Sequence, residues 1–305
     1  MKSVLVTGGS GLIGNAIQEL QKNYKEYYFV SVNSKSCDLT NYDETFKLIN
    51  MVKPNIIIHL AACVGGLYKN MSQKVKMFED NLLINTHVIK AAHVSNVQHI
   101  IACLSTCVFP DQTTYPISES MLHDGPPHNS NEGYAYAKRM LEIQCKLYNT
   151  EFNRNYICII PTNVYGPYDN FNLGDAHVIP ALIHTCYLAK QKGIPFEVKG
   201  SGKPLRQFIY NKDIAKLIFI LLDNTFKENI ILSPTEEYTI KEVAELINSH
   251  FGNEIVYLHE YSDGQYRKTA DNSKLHTFNF EFTDLKDGIA ETISWFIKNY
   301  TTLRK

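Results

Sequence analysis

Apolar positions along this chain change period repeatedly, and the changes outline strands alternating with helices. Residues 3–7 form an apolar, β-branched run that reads as a buried strand. A glycine-rich turn follows, Gly8-Gly9-Ser10-Gly11-Leu12-Ile13-Gly14, and helical spacing then runs from about Leu12 to Lys22. A second strand ends near Val32, a helix covers roughly Tyr42 to Met51, and Asn55 to Leu60 reads as a third strand. A long helical stretch occupies about Gln73 to Val94. Ile100 to Leu104 is a fourth strand leading straight into Ser105, the helix carrying Tyr134 and Lys138 runs to about Asn149, and Tyr156 to Ile160 is a fifth strand. This alternation predicts an α/β fold, a Rossmann-type doubly wound parallel sheet. Right-handed crossovers gather the strand C-termini on one edge, where such sheets bind ligands.

After Pro161 the pattern loosens into loops rich in Asn, Gly and Pro. Within them the spacing predicts a helix near Val178–Lys192, a strand near Phe196–Val198, and helices at about Tyr210–Asp223, Ile240–Phe251 and Asp284–Tyr300. We read residues 1–164 as a nucleotide-binding domain and 165–305 mainly as a smaller C-terminal α+β substrate lobe. Some later segments are expected to return to the sheet.

Composition narrows the class. Hydrophobic residues make up 44% of the chain and charged ones 20%, as in a soluble globular protein. The formal net charge of −1 gives no electrostatic case for nucleic acid or an anionic membrane as the main partner. The run Leu217–Leu222 is far shorter than a bilayer requires, and no charged n-region with a long apolar core precedes Val4. Seven cysteines at irregular spacing, without a CxxC pair, outline neither a disulfide framework nor a zinc site. The expected location is the reducing cytoplasm.

The glycine turn has the GxGxxG form, follows a strand and opens a helix. In that context the backbone approaches a pyrophosphate, which rests on the helix N-terminus. Without a ligand it reads as a tight strand–helix turn. An NAD site usually places a carboxylate at the end of the second strand, but here that place reads Val32-Asn33-Ser34-Lys35. Ser34 and Lys35 offer a hydroxyl and a cation suited to a 2′-phosphate, which favours NADP. Lys35 also reads as a solvated loop charge. Asp38 and Leu39 are expected to border the adenine.

Tyr134 and Lys138 are four apart on a helix and share one face. Lys138 beside the phenol is expected to lower its pKa, so that Tyr134 passes a proton to a carbonyl oxygen as hydride arrives. Ser105 is expected to hydrogen-bond the same oxygen, and Lys138 to hold the nicotinamide ribose as well. Ser105 and Cys107 are two apart at a strand end, and extended backbone would point both into one pocket. Cys107 reads equally as a second acid/base group or as a small buried hydrophobe. The remaining cysteines read as structural.

With these residues the chain resembles the extended short-chain dehydrogenases/reductases, and among them the branch that epimerises and reduces 4-keto sugar nucleotides. The resemblance covers nearly the whole chain. It rests on Val6-Thr7-Gly8-Gly9-Ser10-Gly11, His59-Leu60-Ala61-Ala62, Val64-Gly65-Gly66-Leu67, Leu104-Ser105-Thr106-Cys107 and Tyr134 to Lys138. It continues in Pro161-Thr162-Asn163-Val164-Tyr165-Gly166-Pro167, His177-Val178-Ile179-Pro180, Arg206-Gln207-Phe208 and Ser262-Asp263-Gly264-Gln265. Cys107 with His177 is the discriminating combination, because relatives that only reduce or dehydrate lack it.

The resemblance implies that Cys107 as thiolate and His177 as imidazolium, ion-paired, invert C3 and C5 beside a C4 ketone. Tyr134 then gives the proton as C4 is reduced. It implies NADPH as cofactor, with Leu60, Ala61, Ala62, Pro161, Thr162, Asn163, Val164 and His177 against it. It further implies a nucleotide-sugar substrate, GDP-4-keto-6-deoxy-D-mannose converted to GDP-L-fucose, and a homodimer formed through the helices near 73–94 and 132–149. Asn163 would lie beside the sugar, Arg206 on the diphosphate, and Lys199, Asp263 and Lys268 along the substrate. Read alone, Arg206 also fits a surface ion pair. Two positions depart from the pattern: Lys199 stands where Trp is common, and Thr185 where a basic residue is common. They favour as an alternative the same chemistry on a different 4-keto-6-deoxy sugar nucleotide. A non-catalytic nucleotide sensor on this fold is a third reading.

Overall fold

A computed structural model describes residues 1–223, 226–263 and 265–303; Gly264 of the Ser262–Gln265 motif lies outside the described residues. The N-terminal part contains strands β1 (Lys2–Thr7), β2 (Tyr27–Val32), β3 (Ile56–His59), β4 (His99–Cys103) and β5 (Asn155–Pro161). Between them run helices α1 (Leu12–Leu20), α2 (Tyr42–Val52), α3 (Leu67–Ser72), α4 (Lys74–Val94) and α5 (Glu132–Phe152). The rest holds β6 (Asn163–Tyr165), α6 (Val178–Lys192), β7 (Phe196–Lys199), β8 (Leu205–Arg206), β9 (Phe208–Tyr210), α7 (Asn211–Asp223) and β10 (Ile230–Leu232). It ends with β11 (Tyr238–Thr239), α8 (Ile240–Asn248), β12 (Ile255–Leu258) and α9 (Leu285–Asn299).

Among the described residues, six strands make one sheet in the order β10-β5-β4-β3-β1-β2, and every pairing is parallel. This is the doubly wound Rossmann architecture. The chain moves outward from β1 to β2, then returns to lay β3 on β1's other side. The switch point therefore falls between the ends of β1 and β3, the usual ligand crevice of such sheets.

Strand alternation sorts the core into two layers. Leu5, Ile57, Ile100 and Tyr156 face a buried cluster with Ile49 of α2, Val88 and Ile89 of α4, and Leu141 of α5. Val4, Val6, Ile58, Ile101 and Ile157 face the opposite layer, with Ile17 of α1 and Ile214, Ile218 and Phe219 of α7. A third cluster joins Tyr165, Phe171, Ile183, Phe196, Val243, Ile289 and Phe296 in the C-terminal part. Thus α7 and β10, late in the chain, complete the sheet and its second helical layer.

Element ends differ from the periodicity where capping intervenes. α8 stops at Asn248 rather than near Phe251, because the Asn248 side chain turns to bond both backbone groups of Asn253 at 2.8 and 3.0 Å. α5 runs on to Phe152 and ends at Asn153 in the left-handed region, φ 50°. Strand β9 delays α7 to Asn211.

Phe219 ties α7 to the sheet. It is buried, stacks on Tyr24 at 3.9 Å and meets Phe29 edge-on at 5.6 Å. Phe219→Ala should destabilise this layer by about 3–5 kcal/mol. A urea titration followed by circular dichroism, with an unchanged midpoint as the contrary result, checks it.

Candidate active site

The glycine turn closes on the switch point. Gly8 has φ +73°, and a Cβ there would meet the Ala61 nitrogen at 2.8 Å and the Leu60 carbonyl carbon at 2.9 Å. A Cβ on Gly14 would lie 2.5 Å from the Gly8 carbonyl oxygen. Only hydrogen fits at either place, so the turn, the 60–62 segment and the start of α1 meet backbone to backbone. Gly11 caps α1 without a side-chain acceptor, which leaves the helix N–H groups directed at this cradle. Ser34 and Lys35 are exposed on the turn after β2, and no carboxylate stands before Asp38. The site fits a dinucleotide pyrophosphate, with a cation and a hydroxyl where an NAD site would hold an acid. Asp38 is turned inward on itself: its Oδ1 accepts from the Thr40 amide and hydroxyl at 2.9 and 2.7 Å, which hold its carboxyl below the usual range. Leu39 is buried.

The next strand end carries the reactive groups. Extended backbone does not continue from Ser105 to Cys107 as the sequence spacing implies. Ser105 instead caps a single 3₁₀ turn, Thr106–Val108, and its Oγ accepts from the Cys107 amide at 3.5 Å. The two side chains still face each other, because the cap folds the chain back. Two cations of α5 bracket this turn: Lys138 Nζ donates to the Cys103 carbonyl at 2.7 Å, and Arg139 Nε to the Val108 carbonyl at 2.6 Å. One turn earlier on α5 stands Tyr134, its ring centroid 5.8 Å from Lys138 Nζ.

Electrostatics correct the expected tuning. Burial pushes the Tyr134 phenol well above its ordinary pKa, and the neighbouring thiols Cys107, Cys103 and Cys63 push the same way. Lys138 does not reverse this; burial lowers its own pKa. Tyr134 is thus held as a phenol, the form that donates a proton. Burial also raises the Cys107 thiol, opposed by the Ser105 hydrogen bond and by the charges of Lys268 and Lys138. The expected ion pair with His177 is not what acts on Cys107. His177 has Asp175 as its charged neighbour, and burial lowers its imidazole. Its ring is reachable by solvent yet hemmed in by protein, as in a cleft.

The substrate-side residues are placed unequally. Burial lowers Lys268, which shares its surroundings with Cys107, Arg206 and Asp111, so Lys268 is the cation that stands between Cys107 and Arg206. Arg206 donates to the carbonyls of Leu205 at 2.7 Å, Tyr266 at 3.2 Å and Gln265 at 2.5 Å, pinning the 265–268 segment rather than forming a surface ion pair. Asp263 gives both oxygens to Ser201, at 2.6 Å each, so it ties two loops together. Lys199 is exposed and lies 5.0 Å over the Tyr261 ring. Asn163 Nδ2 donates to the Gln207 carbonyl at 2.9 Å.

Several residues that matter here were given no role from the sequence, although His59 and Gln207 stand within the motifs named above. Buried His59 joins Thr7 Oγ1 at 2.8 Å to Asn85 Oδ1 at 3.1 Å, locking the ends of β1 and β3 to α4. Burial lowers its pKa to about 3, so it works as a neutral hydrogen-bond bridge. Gln207 reaches the Pro234 carbonyl at 2.9 Å and accepts from the Ala270 amide at 2.8 Å. Asp175 accepts from the Gly66 amide at 2.6 Å. A polar side chain within or next to a motif was the available clue.

The model of the NAD dependent epimerase/dehydratase family matches residues 4–232, and the chain belongs to that family. The chain is 46% identical over 314 residues to GDP-L-fucose synthase of Dictyostelium discoideum, covering 100% of this chain and 98% of the relative. Its identity to a probable GDP-L-fucose synthase of Drosophila melanogaster is 44% over 323 residues, with both chains covered completely. The crystal structure of a GDP-L-fucose synthetase from Naegleria fowleri bound to NADP superposes with a TM-score of 0.94 at 42% identity, covering 100% of this chain and 95% of that one. Among the described residues, no helix is long and apolar enough to cross a membrane.

Removing Lys268 strips Cys107 of a stabilising charge. In a Cys63→Ser background, Lys268→Met should move the pH midpoint of Cys107 alkylation by iodoacetamide upward by about one pH unit. Overlapping profiles would refute the assignment.

Proposed function

We propose that this protein is an NADPH-dependent 3,5-epimerase/4-reductase that converts GDP-4-keto-6-deoxy-D-mannose to GDP-L-fucose. The observation that carries this reading is Cys107 beside Ser105, Tyr134, Lys138 and Lys268 in one cleft, in a chain that matches GDP-L-fucose synthases end to end. A plain reductase has no use for a second acid/base group there.

The C4 ketone acidifies the protons on C3 and C5. Cys107, whose thiolate Lys268, Lys138 and Ser105 favour against the burial that raises its pKa, removes them, and His177 returns protons from the other face. Ser105 and Tyr134 hold the C4 oxygen. NADPH, when bound, supplies the hydride for C4. Tyr134, kept protonated by its surroundings, gives the oxygen its proton. Gly8–Gly14 and residues 60–62 cradle the pyrophosphate, with Leu12 and Ile13 opening α1. Ser34 and Lys35 hold the 2′-phosphate, Asp38 and Leu39 border the adenine, and Pro161–Val164 line the nicotinamide end. Residues 1–164 thus form the cofactor domain, rejoined by α7 and β10, and 165–305 mainly the substrate lobe. Arg206 and Lys268 face the diphosphate. Lys199 and Asp263 stand at the nucleotide side.

We read the protein as a cytoplasmic homodimer. Seven free cysteines fit a reducing compartment. The outer faces of α4 and α5 expose Val75, Leu83, Tyr136 and Leu147, a surface suited to a two-fold partner. The exposed Lys199 and uncharged Thr185 keep one alternative in play, the same chemistry on another 4-keto-6-deoxy sugar nucleotide.

Incubation with substrate in D₂O separates the steps. Cys107→Ser should cut solvent deuterium incorporation at C3 and C5 by about 10²–10⁴-fold, the range for loss of a positioned acid/base, while NADPH still binds. Tyr134→Phe should instead spare deuterium exchange and slow NADPH oxidation. Product stereochemistry by NMR completes the test; NADPH oxidation only with another sugar nucleotide would favour the alternative.

A further inference from the structure

His177 occupies an awkward place for a group that must carry a proton. It is the N-cap of α6, and its side chain makes no capping bond. The positive end of a helix dipole disfavours an imidazolium, and the first turn of α6 holds no acidic residue to offset it. Burial acts in the same direction.

One carboxylate stands against both effects. Asp175 lies two residues before His177, in a loop closed by amide bonds from Asp175 and Ala176 to the Asn172 carbonyl at 2.9 and 2.7 Å. Its Oδ1 accepts from the Gly66 amide at 2.6 Å, and its Oδ2 lies 3.8 Å from Lys69 Nζ. The facing turn is itself tied: Asn70 Nδ2 donates to the Gly65 and Gly66 carbonyls at 2.7 and 3.0 Å. The fit is close, since a Cβ on Gly66 would lie 3.0 Å from the Asp175 carbonyl oxygen. Asp175 therefore joins the segment after β3 to the start of α6.

We propose that Asp175 is a positioning residue for His177, clasping the Gly65–Asn70 turn to the N-terminus of α6 and supplying the negative charge that lets His177 carry its proton. Among the described residues, Asp175 is the charged group that acts on His177, and Lys69 offsets part of the Asp175 charge. A hollow of about 750 Å³, bordered by Lys69, Ser72, Gln73, Gly174 and Asp175, opens beside the clasp. The Asp175 and Lys69 side chains are both partly exposed, so solvent screening moderates the interaction. The inference rests on the proposed role of His177, but its first test needs no sugar substrate.

Asp175→Asn separates charge from clasp, because the amide oxygen still accepts from Gly66. NMR titration of ring-labelled histidine, with His177→Gln for assignment, should show His177 titrating about one pH unit lower in Asp175→Asn. Lys69→Met should shift it the other way by a smaller amount. The C3/C5 deuterium-exchange profile should lose its limb near neutral pH in Asp175→Asn, about tenfold at pH 7.5, while the NADPH KM holds. Asp175→Glu should restore the titration. An unchanged His177 titration in both Asp175→Asn and Lys69→Met overturns the proposal. A shifted titration without exchange on any 4-keto sugar nucleotide upholds the electrostatic assignment and overturns the proposed chemistry instead.

Discussion

The site depends on one buried ammonium. Lys138 is 1% exposed and donates to the Cys103 carbonyl at 2.7 Å, where β4 ends. A charge taken that far from water must be met by hydrogen bonds or it will not stay charged. The carbonyl at the end of β4 answers that need, and so α5 is fixed against the strand at this register. Arg139 makes the adjacent attachment to Val108. Between these two anchors the chain has only Leu104 to Cys107 in which to turn, and a 3₁₀ turn capped by Ser105 is how it does so. Tyr134, one helical turn before Lys138, then faces that turn without a contact of its own having to place it.

The same logic joins the halves of the site. The cofactor cradle is held by backbone contacts that only glycine permits, at Gly8 and Gly14. The acid/base end is held by buried polar side chains. The Thr7–His59–Asn85 chain links the two, since Thr7 ends β1 just before Gly8 and Asn85 reaches the Ala137 carbonyl beside Lys138 at 3.4 Å. A neutral histidine serves better than a charged one there. With a third cation so close, Lys138 would be harder to keep protonated.

Much of this could be read from residues alone, and the limits are physical. The parallel α/β order followed from apolar runs punctuated by glycine, because buried parallel strands are nearly pure Ile, Val and Leu. The final sheet strand did not: Ile230–Leu232 is three residues long, too short for a period, and its place beside β5 is set by tertiary pairing. Ser105, Tyr134 and Lys138 were legible as a set because helix spacing and a strand end constrain them. The partners of Cys107 and His177 were not. The resemblance implied that they would pair with each other, whereas the charges that act on them are Lys268, brought to Cys107 by loop packing that no periodicity encodes, and Asp175, two residues before His177. Arg206 reads as a phosphate ligand, yet much of its hydrogen-bonding capacity goes into the loop that carries Lys268.

That arrangement has an electrostatic consequence. Burial lowers the pKa of Lys138 and Lys268, the two charges that act on the Cys107 thiol, and Lys268 shares its surroundings with Arg206 and Asp111 as well. Cations crowded in this way favour an anion, which on the proposed reading is the diphosphate of the substrate. The bound anion would then help keep Lys268 charged, and a charged Lys268 favours the Cys107 thiolate. The diphosphate would also repel that thiolate directly, so the net effect depends on Lys268 lying nearer Cys107 than the phosphates do. On the proposed reading, the substrate's remote end and its reacting carbons are therefore coupled through Lys268. Binding at one end would prepare the base at the other, while Tyr134, shielded from that charge in the pocket of thiols, stays protonated for the later step.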